Sequence, residues 1–161
     1  MKRIILYIML ILFSLPASSQ NKMDLKIIQV LNRFYVSEIN EAIQLYESLF
    51  DTKCSLRFYY EETGLELAQI GNVLLLAGSE EALKPYRETK ATFIVNTLEG
   101  FKEYLLVNGS KIIRDIKIVP TGKNMTLKHP DGTIIEYVQF CDWDFSNNSI
   151  IRESPPEDYQ E

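Results

Sequence analysis

Residues 129–137 read HPDGTIIEY, a tight turn followed at once by the start of a strand. The first four of these residues favour a turn, because proline fixes its own φ and glycine tolerates a positive φ. The run 133–140 that follows is short and rich in β-branched and aromatic residues, which is typical of a strand. A related order, GNVLLLA, occurs earlier at residues 71–77. Two units of this kind indicate an internal repeat.

The part of the chain before residue 78 predicts a strand, a helix and three further strands. The helix is predicted from apolar residues at helical spacing, at positions 39, 42, 43, 46 and 50. Ser37 is placed to cap it through its hydroxyl group. The predicted strands are 26–36, 54–60, 65–70 and 73–77.

The second half of the sequence repeats this order. Leu98, Phe101 and Leu105 form the apolar stripe of a second helix, which Thr97 can cap. Asn108-Gly109 suits a left-handed conformation at the end of that helix. The predicted strands of this half are 91–95, 112–119, 124–128 and 133–140.

These elements predict an α+β fold made of two tandem βαβββ modules. Module one spans about 25–78, a linker covers 79–89, and module two spans about 90–141. One such sheet with one helix cannot bury both of its faces alone, whereas two modules side by side can. We therefore expect one domain, 25–141, whose curved sheets enclose a cleft between them.

Residues 1–20 have the order of a secretory signal peptide. Lys2 and Arg3 precede an apolar run at 4–13, and small residues follow up to Ser19. The apolar run is shorter than the roughly 18 residues that a membrane-spanning helix needs, and no later segment approaches that length. The sequence predicts cleavage and a periplasmic or secreted protein without a membrane span. The alternative is translation from Met23, which would leave the protein cytoplasmic.

The charge balance argues against nucleic acid as a partner. The chain has 17 Lys and Arg against 22 Asp and Glu, a formal net charge of −5. Proteins that bind nucleic acid depend on clustered basic residues, and no basic stripe occurs here. Residues 142–161 form an acidic tail, whose end at 152–161 has the composition of a disordered segment.

Cys54 and Cys141 are the two cysteines. In an oxidising compartment they can form a disulfide only if their α-carbons come within about 7 Å. We favour two separate, partly buried thiols, because free cysteine behaves as a small apolar residue. A disulfide is the alternative.

Two motifs resemble those of the vicinal-oxygen-chelate superfamily, which includes glyoxalases, bleomycin-resistance proteins and extradiol dioxygenases. Residues 36–39, VSEI, followed by LYE at 45–47, resemble its opening strand and helix. Residues 129–137 resemble its closing strand, and the resemblance extends over 25–141. It implies paired modules around a cleft for small ligands, and frequent homodimers. Its chemistry ranges from metal-dependent isomerases and dioxygenases to metal-free antibiotic binders.

In the metal-dependent members, ligands come from the first and last strands of each module. The resemblance transfers these positions to Leu31, Leu75, Lys90 and Glu136. Only Glu136 is an ordinary metal ligand, whereas a divalent ion needs several oxygen or nitrogen donors and a lysine ammonium repels it. The one histidine, His129, falls in a turn rather than at a ligand position. We therefore expect no metal and no cofactor.

The strands of this superfamily also suggest what replaces the metal. Since the first and last strands of a module are neighbours, we expect Lys90 and Glu136 to form an ion pair where a metal would otherwise lie, because an unpaired buried charge is costly. Side chains alternate between the faces of a strand, so one set faces the cleft. The expected ligand-binding residues are Arg33, Tyr35, Lys90, Thr92 and Glu136.

The favoured function is a metal-free domain that binds a small polar or anionic organic molecule in the cleft, with Tyr59 or Tyr60 stacking on it. One alternative is an enzyme, a lyase, isomerase or dioxygenase, in which Glu136 is the catalytic base or the one retained ligand. Another is a structural or partner-binding module with a closed cleft, whose charges only satisfy one another. The fold alone does not choose among these classes.

Overall fold

The computed structural model describes residues 24–141 and the backbone of 143–144 and 149–150. The predicted signal peptide at 1–20, the alternative start at Met23 and most of the predicted acidic tail lie outside these residues. Eight strands form one sheet, in the order Leu56–Tyr60, Leu65–Ile70, Val73–Ala77, Ile27–Val36, Thr89–Val95, Ile134–Phe140, Gly122–Lys128 and Lys111–Val119. Over the described part of the chain, no helix has the length and apolar character needed to cross a membrane.

The element order confirms the predicted α+β fold of two tandem βαβββ modules. Most predicted strand boundaries lie within one or two residues of the observed ones, and the strands at 65–70 and 73–77 match. The elements are β1 Ile27–Val36, α1 Ile39–Phe50, β2 Leu56–Tyr60, β3 Leu65–Ile70, β4 Val73–Ala77, α2 Glu80–Leu83, β5 Thr89–Val95, α3 Leu98–Val107, β6 Lys111–Val119, β7 Gly122–Lys128, β8 Ile134–Phe140, and the short pair β9 Trp143–Asp144 and β10 Ser149–Ile150.

The two modules join at the centre of the sheet. The first and last strands of each module are parallel neighbours, β1 with β4 and β5 with β8. β1 and β5 pair antiparallel, with Leu31 opposite Thr92, and so connect module one to module two. The central strands β4, β1, β5 and β8 therefore present side chains from both modules on one shared face.

Each of the two long helices, α1 and α3, covers the outer face of its own module. α1 packs on β3 and β4 through an apolar cluster that includes Ile39, Ala68 and Leu75. α3 packs on the sheet of module two through Leu98, Phe101 and Tyr137. A third apolar cluster lies on the opposite, inner face of the sheet and contains residues of both modules: Leu31, Leu65, Leu74, Leu76, Leu83, Ile94, Val138 and Phe140.

The ends of the two long helices differ from each other. Thr97 caps α3 as predicted, since its hydroxyl accepts a hydrogen bond from the backbone N–H of Gly100. Gly109 follows α3 with a φ of +87°, the left-handed conformation expected there. The cap predicted for Ser37 is wrong: α1 begins after Glu38, which makes no side-chain cap. The hydrogen bond that Ser37 would supply is therefore missing from the start of α1.

The two cysteines are free thiols. Cys54 is half-buried, and its Sγ lies 3.2 Å from the carbonyl oxygen of Leu56. Cys141 is exposed, contrary to the expected partial burial. The structure thus agrees with two separate thiols and contains no Cys54 to Cys141 disulfide.

Candidate ligand-binding cleft

The inner face of the sheet lines a cleft with a volume of about 90 Å³, which is open to solvent at its mouth. Both modules contribute to its lining, and most of the lining side chains are apolar. The lining residues are Leu31, Arg33, Leu56, Phe58, Tyr60, Thr63, Leu65, Leu67, Gln69, Leu74, Leu76, Tyr86, Thr92, Ile94, Val119, Pro120, Thr121, Asn124, Glu136, Val138 and Phe140.

A buried polar cluster lies on the central strands of the cleft. Nη1 of Arg33 donates to Oε2 of Glu136 at 2.6 Å and to Oγ1 of Thr92 at 3.0 Å. The Thr92 hydroxyl donates in turn to the same Glu136 oxygen at 3.0 Å. Oε1 of Glu136 accepts from Nδ2 of Asn124 at 3.2 Å. Each partner thus compensates the burial of the others, as buried charges require.

The guanidinium group of Arg33 contributes its Nη1 atom to this cluster. Its side chain is 2% exposed, and its hydrogen bonds to described residues all run through Nη1. Nε is buried and has no hydrogen-bond partner among the described residues. A buried N–H without an acceptor is costly and uncommon, so Nε is an unsatisfied donor within a residue that lines the cleft.

The ion pair predicted between Lys90 and Glu136 is wrong. Lys90 is exposed, and the pairing of β5 with β8 has a β-bulge between Thr89 and Ala91. A bulge inserts an extra residue and breaks the alternation of side chains. Arg33, one strand further along the sheet, takes the place of Lys90 as the partner of Glu136.

The tyrosines of the predicted site also occupy different positions from those expected. Tyr35 does not line the cleft. Its hydroxyl donates a hydrogen bond to the backbone carbonyl of Tyr86, and Tyr86 is a lining residue. Of the two candidates for stacking, Tyr60 lines the cleft and Tyr59 is 61% exposed on the other face of β2. Tyr35 is therefore placed to support the cleft wall.

One transferred position is displaced by a single residue. Leu75 is buried under α1, whereas its neighbours Leu74 and Leu76 line the cleft. The register explains the difference: Leu74 pairs with Arg33 in module one, as Glu136 pairs with Thr92 in module two. The turns before β4 and β8 differ in length, so aligning the two modules by the glycines of these turns shifts the alignment of β4 on β8 by one residue. The shift selects Leu75, whose side chain lies on the helix-covered face instead of the cleft face.

Sequence reasoning missed Asn124, which hydrogen-bonds Glu136 from β7. A signal for it existed, because β7 and β8 form an antiparallel pair in which Asn124 is opposite Val138, a residue on the same face as Glu136. Gln69 and Tyr86 also line the cleft without having been predicted. Gln69 follows the alternation of Leu65 and Leu67 on the cleft face of β3. Tyr86 lies between α2 and β5, where strand alternation gives no information.

Charged side chains join the two modules at the mouth of the cleft. Lys117 of β6 forms an ion pair with Glu62, in the turn between β2 and β3, and Tyr60 donates to the same carboxylate at 3.0 Å. The hydrogen bond from Lys117 holds the pKa of Glu62 below its ordinary value. Burial, followed by the hydrogen bond to Glu62, raises the pKa of Tyr60.

His129 lies outside the cleft. Its Nε2 is 2.8 Å from the hydroxyl of Tyr137, which is buried under α3. Burial raises the pKa of Tyr137 to about 12. The histidine is therefore part of the packing on the outer face of module two, in keeping with the turn position expected from the sequence.

The residues in the cleft do not fit a divalent metal ion. The positions transferred from metal-dependent relatives are two leucines, a surface lysine and Glu136. The Glu136 carboxylate already accepts hydrogen bonds from Arg33, Thr92 and Asn124. Within residues 24–141, no group of three or more His, Cys, Asp or Glu side chains is arranged to hold a metal. A guanidinium cation stands beside the one carboxylate that could serve as a ligand.

Solved structures share this architecture. An uncharacterised protein from Methanosarcina mazei is 52% identical, with a TM-score of 0.70, over 74% of this chain and 97% of that one. Methylmalonyl-CoA epimerase from Mycobacterium tuberculosis is 15% identical, with a TM-score of 0.58, over 70% of this chain and 88% of its own. The Streptomyces coelicolor epimerase, in complex with 2-nitronate-propionyl-CoA, is 14% identical with a TM-score of 0.57, over 72% of this chain and 99% of its own.

The fold is that of the vicinal-oxygen-chelate superfamily, to which the epimerases belong. At 14–15% identity the epimerases show the fold alone. The chain belongs to the same family as the uncharacterised Methanosarcina mazei protein. No protein-family model matches the sequence, and no curated protein matches it.

Proposed function

We propose that this protein binds a small organic molecule in the cleft between its modules without the help of a metal ion. The observation that carries the proposal is the buried Arg33 Nε, a strong donor without a partner in a residue that lines an open cleft. The ligand would have an apolar body and one polar or anionic group. Its polar group would lie at the cluster formed by Arg33, Thr92, Asn124 and Glu136.

The apolar part of the lining supports the proposed ligand body. Leucines and a phenylalanine of β2, β3 and β4 cover the module-one side of the cleft. This surface begins at Leu74, which pairs with Arg33, and extends across the sheet away from the polar cluster. Burying apolar ligand surface against them contributes roughly 25 cal/mol for each Å². Ligand sites combine such a surface with a few polar groups that fix orientation. The residues are Leu56, Phe58, Leu65, Leu67, Leu74 and Leu76.

Glu136 is the residue on which an enzymatic alternative would depend. Its carboxylate lines the cleft, but it accepts three hydrogen bonds from neighbouring side chains, and its own side chain is only 12% exposed. A carboxylate held in this way is well placed to compensate Arg33. We therefore assign Glu136 to binding and place no reaction step on it.

The direct test is to identify what the cleft holds. The full chain would be purified from its host, denatured, and the released small molecules identified by mass spectrometry. Leu67→Trp would fill part of the cleft, because Leu67 is a half-buried lining residue. Leu49→Trp is the matched control, since Leu49 is 66% exposed on α1. We expect a molecule that is released by the native chain and the control and is reduced in Leu67→Trp.

Two outcomes would contradict the proposal. One is a metal ion at one equivalent in the purified protein, lost in Glu136→Ala, because Glu136 is the only ordinary ligand among the transferred positions. The other is equal release from all three proteins, which would locate the bound molecule outside the cleft. Metal content would be measured on the same preparations, so that both outcomes refer to one sample.

A further inference from the structure

We propose that the polar group recognised by the cleft is an uncharged oxygen acceptor, such as an amide or ketone carbonyl, and that the cleft discriminates against carboxylates. The carbonyl oxygen would accept from the part of the Arg33 guanidinium group that Glu136 and Thr92 do not use. The inference rests on the proposed function, because it names the chemical class of the ligand for the same cleft. It chooses between the polar and the anionic classes that the sequence left open.

The first support is the charge of the cleft. Arg33 and Glu136 are the only charged residues among the described residues that line it. They form an ion pair at 2.6 Å, so the formal charge of the lining is zero. A bound carboxylate would add a negative charge close to Glu136, with no second cation in the lining to compensate it. Burying an uncompensated charge is strongly unfavourable.

The second support is the donor that the ion pair leaves unused. Nη1 of Arg33 donates to Glu136, whereas Nε is buried without a partner among the described residues. A neutral carbonyl that reaches the guanidinium group on this side accepts a hydrogen bond and leaves the charge balance unchanged. A carboxylate would satisfy the same donor but would compete with Glu136 for one guanidinium group. The neutral acceptor therefore gains the hydrogen bond without the electrostatic penalty.

The other cations near the cleft are already engaged, and Lys117 at its mouth forms an ion pair with Glu62. The Arg114 guanidinium lies 4.8 Å from the ring centroid of Tyr86 and donates to the backbone carbonyl of Pro85. It is therefore engaged behind Tyr86, a residue of the cleft wall. Arg87 pairs with Glu80 on the surface. Neither arginine lines the cleft.

The experiment uses sets of probes that share one apolar body. Phenylacetic, phenylpropionic and phenylbutyric acids would each be compared with the corresponding primary amide and with an alkylbenzene of similar length. Binding to the full native chain would be followed by amide chemical shifts in NMR spectra at neutral pH. We expect the best-fitting amide to bind at least about tenfold more tightly than its acid, because only the acid adds an uncompensated charge. The alkylbenzene should also bind more weakly than the amide, since it has no acceptor.

A charge-neutralising variant gives the matched test. Glu136→Gln keeps the size of the side chain but leaves Arg33 without a carboxylate, so the acid should gain at least about tenfold relative to the amide. Glu66→Gln makes the same chemical change in the Arg57–Glu66 ion pair, which lies on β2 and β3 outside the cleft lining. The Glu66→Gln control should bind the amide more tightly than the acid by the same factor as the native protein. The comparison of the probes on the native chain stands even if Glu136→Gln fails to fold.

The outcomes separate this proposal from the function on which it rests. An acid that binds the native protein as tightly as its amide, or an amide no tighter than its alkylbenzene, overturns the inference while leaving a ligand-binding cleft. If no probe shifts the resonances of the cleft residues, both this inference and the proposed ligand-binding function are contradicted. An unchanged preference in Glu136→Gln overturns the charge argument. Tighter amide binding with reversal in Glu136→Gln and not in Glu66→Gln supports it.

Discussion

Nη1 of Arg33 lies 2.6 Å from Oε2 of Glu136, so a buried ion pair ties the first strand of module one to the last strand of module two. β5 runs between these strands, and its Thr92 hydrogen-bonds both partners. The pair thus joins three neighbouring strands at the cleft. Its geometry makes the stability of the whole domain sensitive to residues that belong to the candidate site.

Removing one partner should be strongly destabilising. Glu136→Ala leaves the Arg33 cation buried without its carboxylate, and we expect the free energy of unfolding to fall by about 3 kcal/mol. Urea denaturation followed by circular dichroism measures this change. Glu66→Ala removes the partner of Arg57 in a more exposed pair, whose side chains are 45% and 31% exposed, and should cost less than about 1 kcal/mol. Equal losses in the two variants would mean that the buried pair has no special role.

Replacing both charges should recover most of that stability. In Arg33→Met with Glu136→Leu, neither charge remains to be buried alone, and apolar side chains can replace a buried pair at little cost. We expect the double variant to be more stable than either single variant by about 1–3 kcal/mol, measured by the same urea titration. A double variant whose loss equals the sum of the single losses would show that the two residues act independently.

Lys90 provides a test of the corrected partner assignment. Since Lys90 is exposed at a bulge, Lys90→Met should change the free energy of unfolding by less than about 0.5 kcal/mol. Arg33→Met, the same kind of change at the true partner, should cost several times more. A large effect at Lys90 with a small one at Arg33 would reinstate the ion pair that the sequence suggested.

The repeated pattern of turns and alternating residues was sufficient to predict the fold. The stretch at 129–137 and its counterpart at 71–77 identified two modules, and strand alternation correctly put Arg33, Thr92 and Glu136 on one face. Alternation failed at Lys90, because a bulge depends on the pairing of β5 with β8 and has no clear signature in either strand alone.

The pairing of charges could not be predicted in the same way. Arg33 and Glu136 belong to strands that are not neighbours in the sheet, and they meet because β5 lies between them. Their contact therefore depends on the order of strands across both modules. The expected adjacency of the first and last strands within one module favoured Lys90, which lies in the strand next to that of Glu136.

The pH dependence of stability should reflect Tyr137. Burial raises its pKa from 10.0 to about 12, whereas the phenol in the unfolded chain titrates near its ordinary value of about 10. The folded state keeps the proton longer, so this contribution is complete below about pH 10 and is lost as the pH rises from about 10 to 12. We expect the free energy of unfolding to fall less steeply above pH 10 in Tyr137→Phe than in the native chain. Parallel slopes in urea titrations of the two proteins would contradict this assignment.

Gly122 is the position at which a single methyl group should do most damage. Its φ is +139°, and a β-carbon there would lie 2.2 Å from the carbonyl oxygen of Gln139 and 2.9 Å from the backbone nitrogen of Cys141. These are backbone atoms of β8 and of the residue after it, which cannot rotate away, so Gly122→Ala should cost at least about 2 kcal/mol of unfolding free energy. Gly71→Ala is the matched control, because Gly71 also has a positive φ, +53°, but a β-carbon there would meet nothing within 4 Å. Its cost should be the conformational one alone, about 1 kcal/mol. Thr121, beside Gly122, lines the cleft, so Gly122→Ala should also weaken binding of the cleft ligand. Equal losses of unfolding free energy for alanine at the two glycines would contradict the close approach of β7 to the end of β8.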